Sequence, residues 1–157
     1  MKNKEISRIL SQMANIMEIL GENPFRINSY RQAARVLADT PKDVEELSYN
    51  GKLEDLPGIG KSMHEKIEEY IKKGKISDHQ ELLKKIPVTL LELLNIPQMG
   101  PKGVKKVHEK LGIKGIADLK DAIDSGELEK IEGFGKKKAQ KLKQKIEYMD
   151  QSKGRKT

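Results

Sequence analysis

Leu56-Pro57-Gly58-Ile59-Gly60-Lys61 has an apolar anchor, a tight turn closing on glycine, and then apolar residues at helical spacing, Met63, Ile67 and Ile71, with Lys66 among them. The chain repeats this pattern. Ile131-Glu132-Gly133-Phe134-Gly135-Lys136 is followed by Lys138, Lys141, Leu142 and Ile146, and Ile96-Pro97-Gln98-Met99-Gly100-Pro101 by Val104, Val107 and Leu111. A single Gly-x-Gly before a helix is an ordinary loop, whereas three copies with the same flanks mark a repeated structural unit. The middle copy departs in having Gln98 for the first glycine. Its Gly100-Pro101 keeps the exposed turn, and proline pre-sets the start of the helix.

Glycines on either side of an apolar residue let the backbone turn sharply without a Cβ clash. They leave amide N–H groups uncovered at the start of the following helix, where free donors and the helix dipole favour an anion. The apolar residue between them plugs the turn into its own core, and a lysine just after the turn adds a positive charge. Such a unit grips phosphate and reads no base edges, so its binding is expected to be independent of base sequence and sensitive to salt.

Outward from these turns the periodicity is helical, and no stretch alternates like a strand. Ile6, Ile9, Met13, Ile16, Met17 and Leu20 form one apolar stripe ending at Gly21. A second helix is expected from about Arg26 to Ala38, burying Tyr30, Ala33, Ala34 and Leu37. Thr40-Pro41 reads as the cap and first turn of a short third helix carrying Val44 and Leu47. Further helices centre on Lys66, Leu83, Leu91, Val107, Leu119 and Leu142, with Gly- or Pro-containing links. The reading is all-α, with two small helical subdomains, 1–85 and 86–157, divided near Lys85-Ile86-Pro87.

Composition narrows the function classes. The chain has 157 residues, 36% hydrophobic and 35% charged, which suits two modest cores better than one large one. No apolar run approaches the roughly 20 residues of a bilayer span, and Glu5, Arg8 and Glu18 break up any secretory pattern. Cysteine is absent, which removes disulfides, thiol nucleophiles and thiolate metal sites. The net charge of +7 is localised: residues 1–50 and 51–95 are each neutral, while residues 96–157 carry sixteen basic and nine acidic side chains. That asymmetry suggests a polyanion held mainly from one end.

Leu56 to Gly60 with Lys66, and Ile96 to Pro101, resemble the paired helix-hairpin-helix motifs of DNA polymerase beta and its family X relatives. Phe25-Arg26-Ile27-Asn28-Ser29-Tyr30-Arg31-Gln32-Ala33-Ala34 resembles the segment before the first hairpin in that family, and Gly133-Phe134-Gly135 is similar to an additional hairpin of the prokaryotic members. The resemblance runs from about Ile6 to Arg155. It implies a lyase-like N-terminal domain over 1–85 with the first motif, and a DNA-binding subdomain over 86–157 with the second and third. It also implies a piece of a longer DNA repair polymerase cut before its palm, because nothing here resembles the carboxylate-bearing catalytic domain. DNA, gapped, nicked or plain duplex, is the expected partner of a monomer in the cytoplasm at the nucleoid, with no membrane contact.

The resemblance assigns Lys66 as the Schiff-base lysine of a 5′-deoxyribose phosphate lyase, in which a neutral amine attacks the sugar aldehyde before β-elimination. A solvated helix lysine touching phosphate fits the same residues. Two departures bear on this: the family's second phosphate-holding lysine falls at Ser62, one position after Lys61, and the N-terminal part is neutral where its polymerase beta counterpart is basic. Arg26 and Tyr30 match positions that hold the 5′ phosphate, although helical spacing puts the Tyr30 ring on the core face; Arg31 and Arg35 read as exposed. The expected DNA contacts are Arg26, Tyr30, Gly58, Ile59, Gly60, Lys61, Met99, Gly100, Lys102, Gly133, Phe134, Gly135, Lys136 and Lys137. In related hairpins, backbone carbonyls and a phosphate share Na+ or K+; the matching carbonyls are Leu56 and Ile59, Ile96 and Met99, and Ile131 and Phe134. No other cofactor is required. His64, His79 and His108 show no metal-ligand spacing, and His64 reads as a surface residue. A protein or RNA adaptor of the same fold is the remaining alternative.

Overall fold

The computed structural model describes the backbone of residues 1–154 and the side chains of residues 1–150. The disordered tail expected at Lys153-Gly154-Arg155-Lys156 falls largely outside these. Every regular element among the described residues is helical. The chain forms two compact units, Met1–Lys85 and one beginning at Ile86.

In the first unit α1 (Asn3–Ile19) buries Ile6, Leu10, Met13, Ile16 and Met17 completely. Each such side chain contributes roughly 1.5–3 kcal/mol when withdrawn from water. Gly21 (φ 75°) stops the helix in the left-handed conformation, and the amide of Glu22 reaches back to the Met17 carbonyl. Asn23 then caps α2 (Pro24–Asp39), accepting a hydrogen bond from the Phe25 amide, with Pro24 in the first turn. Ala33 and Ala34 let α2 lie close to α1, near enough for Ser7 Oγ to donate to the Ala34 carbonyl at 2.6 Å.

The cap expected at Thr40-Pro41 lies elsewhere. Thr40 ends α2, its amide bonding to Val36, and α3 (Val44–Tyr49) is capped by Asp43, whose carboxylate accepts from the Glu45 amide. Buried Asn3 fixes this junction, donating to the Lys42 carbonyl at 2.6 Å and accepting from the Val44 amide at 2.9 Å. Two helices complete the unit, α4 (Lys61–Lys73) and α5 (Ser77–Leu83), with Gly74 (φ 73°) terminating α4. Tyr70 of α4 donates to Glu5, and His79 of α5 pairs with Gln12, so both helices are tied to α1.

The second unit comprises α6 (Val88–Glu92), α7 (Pro101–Leu111), α8 (Ile116–Asp124) and α9 (Lys136–Gly154). Its core is built from Leu90, Leu93, Ile96, Val104, Val107, Leu119, Leu128, Phe134, Leu142 and Ile146, all nearly fully buried. Gly112 (φ 66°) ends α7, and Thr89 Oγ1 donates to the Lys114 carbonyl across the unit.

Candidate nucleic-acid interface

The three repeats adopt one backbone course. A 3₁₀ turn, Leu53–Asp55, Leu93–Asn95 or Leu128–Lys130, leads to the apolar anchor Leu56, Ile96 or Ile131. Two residues later the chain enters the left-handed region at Gly58 (φ 76°), Gln98 (φ 72°) and Gly133 (φ 91°). Ile59, Met99 and Phe134 then plunge into the core, and the following glycine opens α4, α7 or α9. The glutamine of the middle copy therefore occupies the same left-handed conformation as the glycines. The anchors differ slightly, since Leu56 and Ile96 are buried while Ile131 is half-buried.

The second glycines carry more information than the first. Gly60 (φ −82°, ψ 173°) and Gly100 (φ −96°, ψ 176°) have ordinary extended backbones, and a Cβ added at Gly60, Gly100 or Gly135 would meet nothing within 4 Å. Nothing in the protein itself requires glycine at these positions, where it costs about 0.4–1 kcal/mol of unfolded-chain entropy. Glycine also leaves α4 and α7 without any side-chain cap, in contrast to α2 and α3, which Asn23 and Asp43 cap. The first free amides, at Lys61 of α4 and, since Pro101 has none, at Lys102 of α7, are thus donors without intrahelical partners at the positive end of a helix dipole. Lys61, Lys102, Lys136 and Lys137 are all exposed beside them.

In the first unit the hairpin turn forms one wall of an open cleft of about 300 Å³, lined among others by Arg26, Tyr30, Gly58, Gly60, Ser62 and Lys66. Five of these residues were expected from sequence to act, and the fold brings them to one place. Tyr30 is core-packed, 2% exposed, although it is among the residues lining the cleft. Arg26 is held by Glu22, Nη1 to Oε2 at 3.2 Å. Lys66 has an anionic partner: its Nζ is 3.1 Å from Asp78 Oδ2, and it also reaches Ser62 Oγ at 3.5 Å and lies 5.9 Å from the Tyr30 ring centroid. Lys61, expected from sequence to contact DNA, is exposed to solvent, outside the cleft lining.

Some features were not foreseen. Phe25, next to Arg26 in the first turn of α2, is 83% exposed although aromatic. Arg31, expected to be exposed, is half-buried and donates to Asn15 and to Glu18 of α1 at 3.0 and 2.5 Å. His64 turns Nε2 inward, buried and without a hydrogen-bond partner, in contrast to the surface residue expected. In the second unit Lys106 of α7 donates to the Glu132 carbonyl at 3.3 Å, placing a further cation at the third turn. A Cβ at Gly103 would come within 3.0 Å of Met99 Sδ and 3.3 Å of the Phe134 ring, so this glycine lets the plugs of the second and third hairpins pack together.

Residues 1–76 match the family described as Helix-hairpin-helix domain, and residues 90–147 the family described as SAM-like Helix-hairpin-helix tandem. Over 146 residues the chain is 35% identical to DNA polymerase/3'-5' exonuclease PolX of Bacillus subtilis (strain 168), covering 93% of this chain and 25% of that protein. Over 153 residues it is 31% identical to DNA polymerase lambda of Arabidopsis thaliana, covering 95% of this chain and 28% of that protein. The chain thus spans about a quarter of the length of the curated relatives it matches.

Proposed function

The chain consists of helix-hairpin-helix domains and is homologous, over about 93% of its length, to the N-terminal part of family X DNA polymerases, and from that premise we propose that it binds DNA through backbone phosphates. It acts as a monomer on gapped or nicked duplex, independently of base sequence. The observation that carries this reading is the set of second glycines, which no contact within the protein requires and which leave capless helix starts open to an anion. Lysines beside each turn add charge-assisted contacts. Nucleoid association in the cytoplasm follows from the same reading. Na+ or K+ fits the turns, because the Ile96 and Ile131 carbonyls each accept one hydrogen bond, from Met99 and Phe134, and keep a second lone pair. The carbonyls of Leu56 and Ile59, Ile96 and Met99, and Ile131 and Phe134 would hold the ion, which would supply positive charge to the bound phosphate.

The cleft of the first unit favours a second reading, 5′-deoxyribose phosphate lyase action through Lys66, because Arg26, Tyr30 and Lys66 line it together. The test of the first reading exploits the missing caps. Gly60→Ser, Gly100→Ser and Gly135→Ser together add side chains that cap the helices, so the thermal midpoint should hold or rise. DNA affinity, read by fluorescence anisotropy, should fall at least tenfold, because each hydroxyl competes for the amides that would hold phosphate. Unchanged affinity in a folded variant would show that the turns do not bind DNA.

A further inference from the structure

Lys66 has 15% of its side chain exposed, yet it is not free. Asp78 Oδ2 lies 3.1 Å from its Nζ, and the carboxylate is placed there by a well-built corner. Gly74 closes α4 in the left-handed conformation, Ile76 is fully buried, and Ser77 donates from both its amide and its hydroxyl to the Glu69 carboxylate. Asp78, in the first turn of α5, is therefore set against Lys66 by the turn between the two helices. The other charged or titratable groups around Lys66 are Arg26 and Tyr30 of α2 and Glu65, Glu68, Glu69, Lys72 and Lys73 of its own helix. An adjacent carboxylate favours the ammonium, whereas an amine nucleophile must be neutral.

We propose that Asp78 is a latch on Lys66, holding it as a paired ammonium and restraining it from covalent attack on a DNA end in the cleft. The inference rests on the reading that this cleft receives a 5′ end. The restrained step is imine formation. After the ammonium gives up its proton to solvent, the amine electron pair adds to the C1′ aldehyde carbon of the opened sugar. A C=N bond replaces C=O, and the oxygen leaves as water with the two remaining amine hydrogens. While the ion pair is closed, no electron pair is available.

The test uses the full chain on gapped DNA carrying a 5′-deoxyribose phosphate, with borohydride reducing the imine to a stable amine at matched DNA occupancy. Asp78→Asn should trap at least tenfold faster than the wild type near neutral pH. Asp78→Glu should keep the latch and behave like the wild type, and Lys66→Ala with Asp78→Asn should give no adduct. Asp78→Ala serves as a second release variant, with thermal unfolding confirming that both fold. Equal, Lys66-dependent trapping with and without Asp78 overturns the latch and leaves the cleft reading standing. No adduct from a released variant that still binds the 5′-phosphorylated gap more tightly than the 5′-hydroxyl gap also overturns it, since freeing Lys66 then yields no nucleophile. If binding does not distinguish those two gaps, the cleft reading fails and the latch with it.

Discussion

Gln98 holds φ at 72° in a turn whose two sister copies place glycine at that point. A non-glycine residue in this region costs about 1–2 kcal/mol, partly offset by the extra unfolded-state freedom that glycine would bring. Gln98→Gly should therefore raise stability by about 0.5–1 kcal/mol, read as a higher urea midpoint with an unchanged slope. A loss of stability would mean that the glutamine amide itself fastens the turn. The left-handed position was legible because two copies spell it with glycine and the register carries it to the third. The partner of Lys66 was not legible: Asp78 lies twelve positions away, beyond a helix end, and helical spacing relates only residues three or four apart. The exposure of the Phe25 side chain was not legible either, because an aromatic residue at the start of a helix carries no mark of whether its ring is covered.

At the level of elements, side-chain caps are few: Asn23 and Asp43 cap α2 and α3, while α1, α5, α6 and α8 have none. At two of the three repeats the uncapped start is a glycine with open space where a Cβ would stand. The all-α reading and the turn-plus-helix units followed from apolar spacing, which depends on burial and survives in sequence. The error at Thr40-Pro41 arose because Thr, Pro and Asp all lie within four residues, and tertiary contact with Asn3 selects Asp43 as the cap. Docking of α5 on α1 gives a pH-dependent element. Burial pushes the half-buried His79 imidazole below its ordinary value of 6.5, so the fold holds it neutral. Below pH 6.5 the unfolded chain takes up the proton first, so stability should fall as pH drops toward and through the lowered folded value. His79→Gln should flatten that dependence in thermal melts taken between pH 7 and pH 5. An equally steep loss in the variant would place the sensitivity on other groups.

For the whole chain, charge and chemistry are divided between the two units. Residues 96–157 carry the entire +7, and two hairpins with exposed Lys102, Lys136 and Lys137, while the nearly neutral first unit has the cleft and an exposed Phe25 next to Arg26 in sequence. Counterion release should therefore be governed by the second unit and end recognition by the first. With one phosphate neutralised per hairpin, the plot of log affinity against log salt should have a slope near −3, at about −0.9 per phosphate. Lys136→Ala with Lys137→Ala should bring that slope about one closer to zero on every DNA, gapped or continuous. Arg26→Ala with Phe25→Ala should leave continuous-duplex affinity and its salt slope unchanged but reduce the preference for a 5′-phosphorylated gap, because Arg26 lines the cleft and Phe25 is its exposed neighbour in sequence. Anisotropy titrations of both double variants on both DNAs, at several salt concentrations, separate the two contributions. If the lysine pair altered gap preference, or the Arg26–Phe25 pair altered the duplex slope, affinity and end recognition would not be divided between the units.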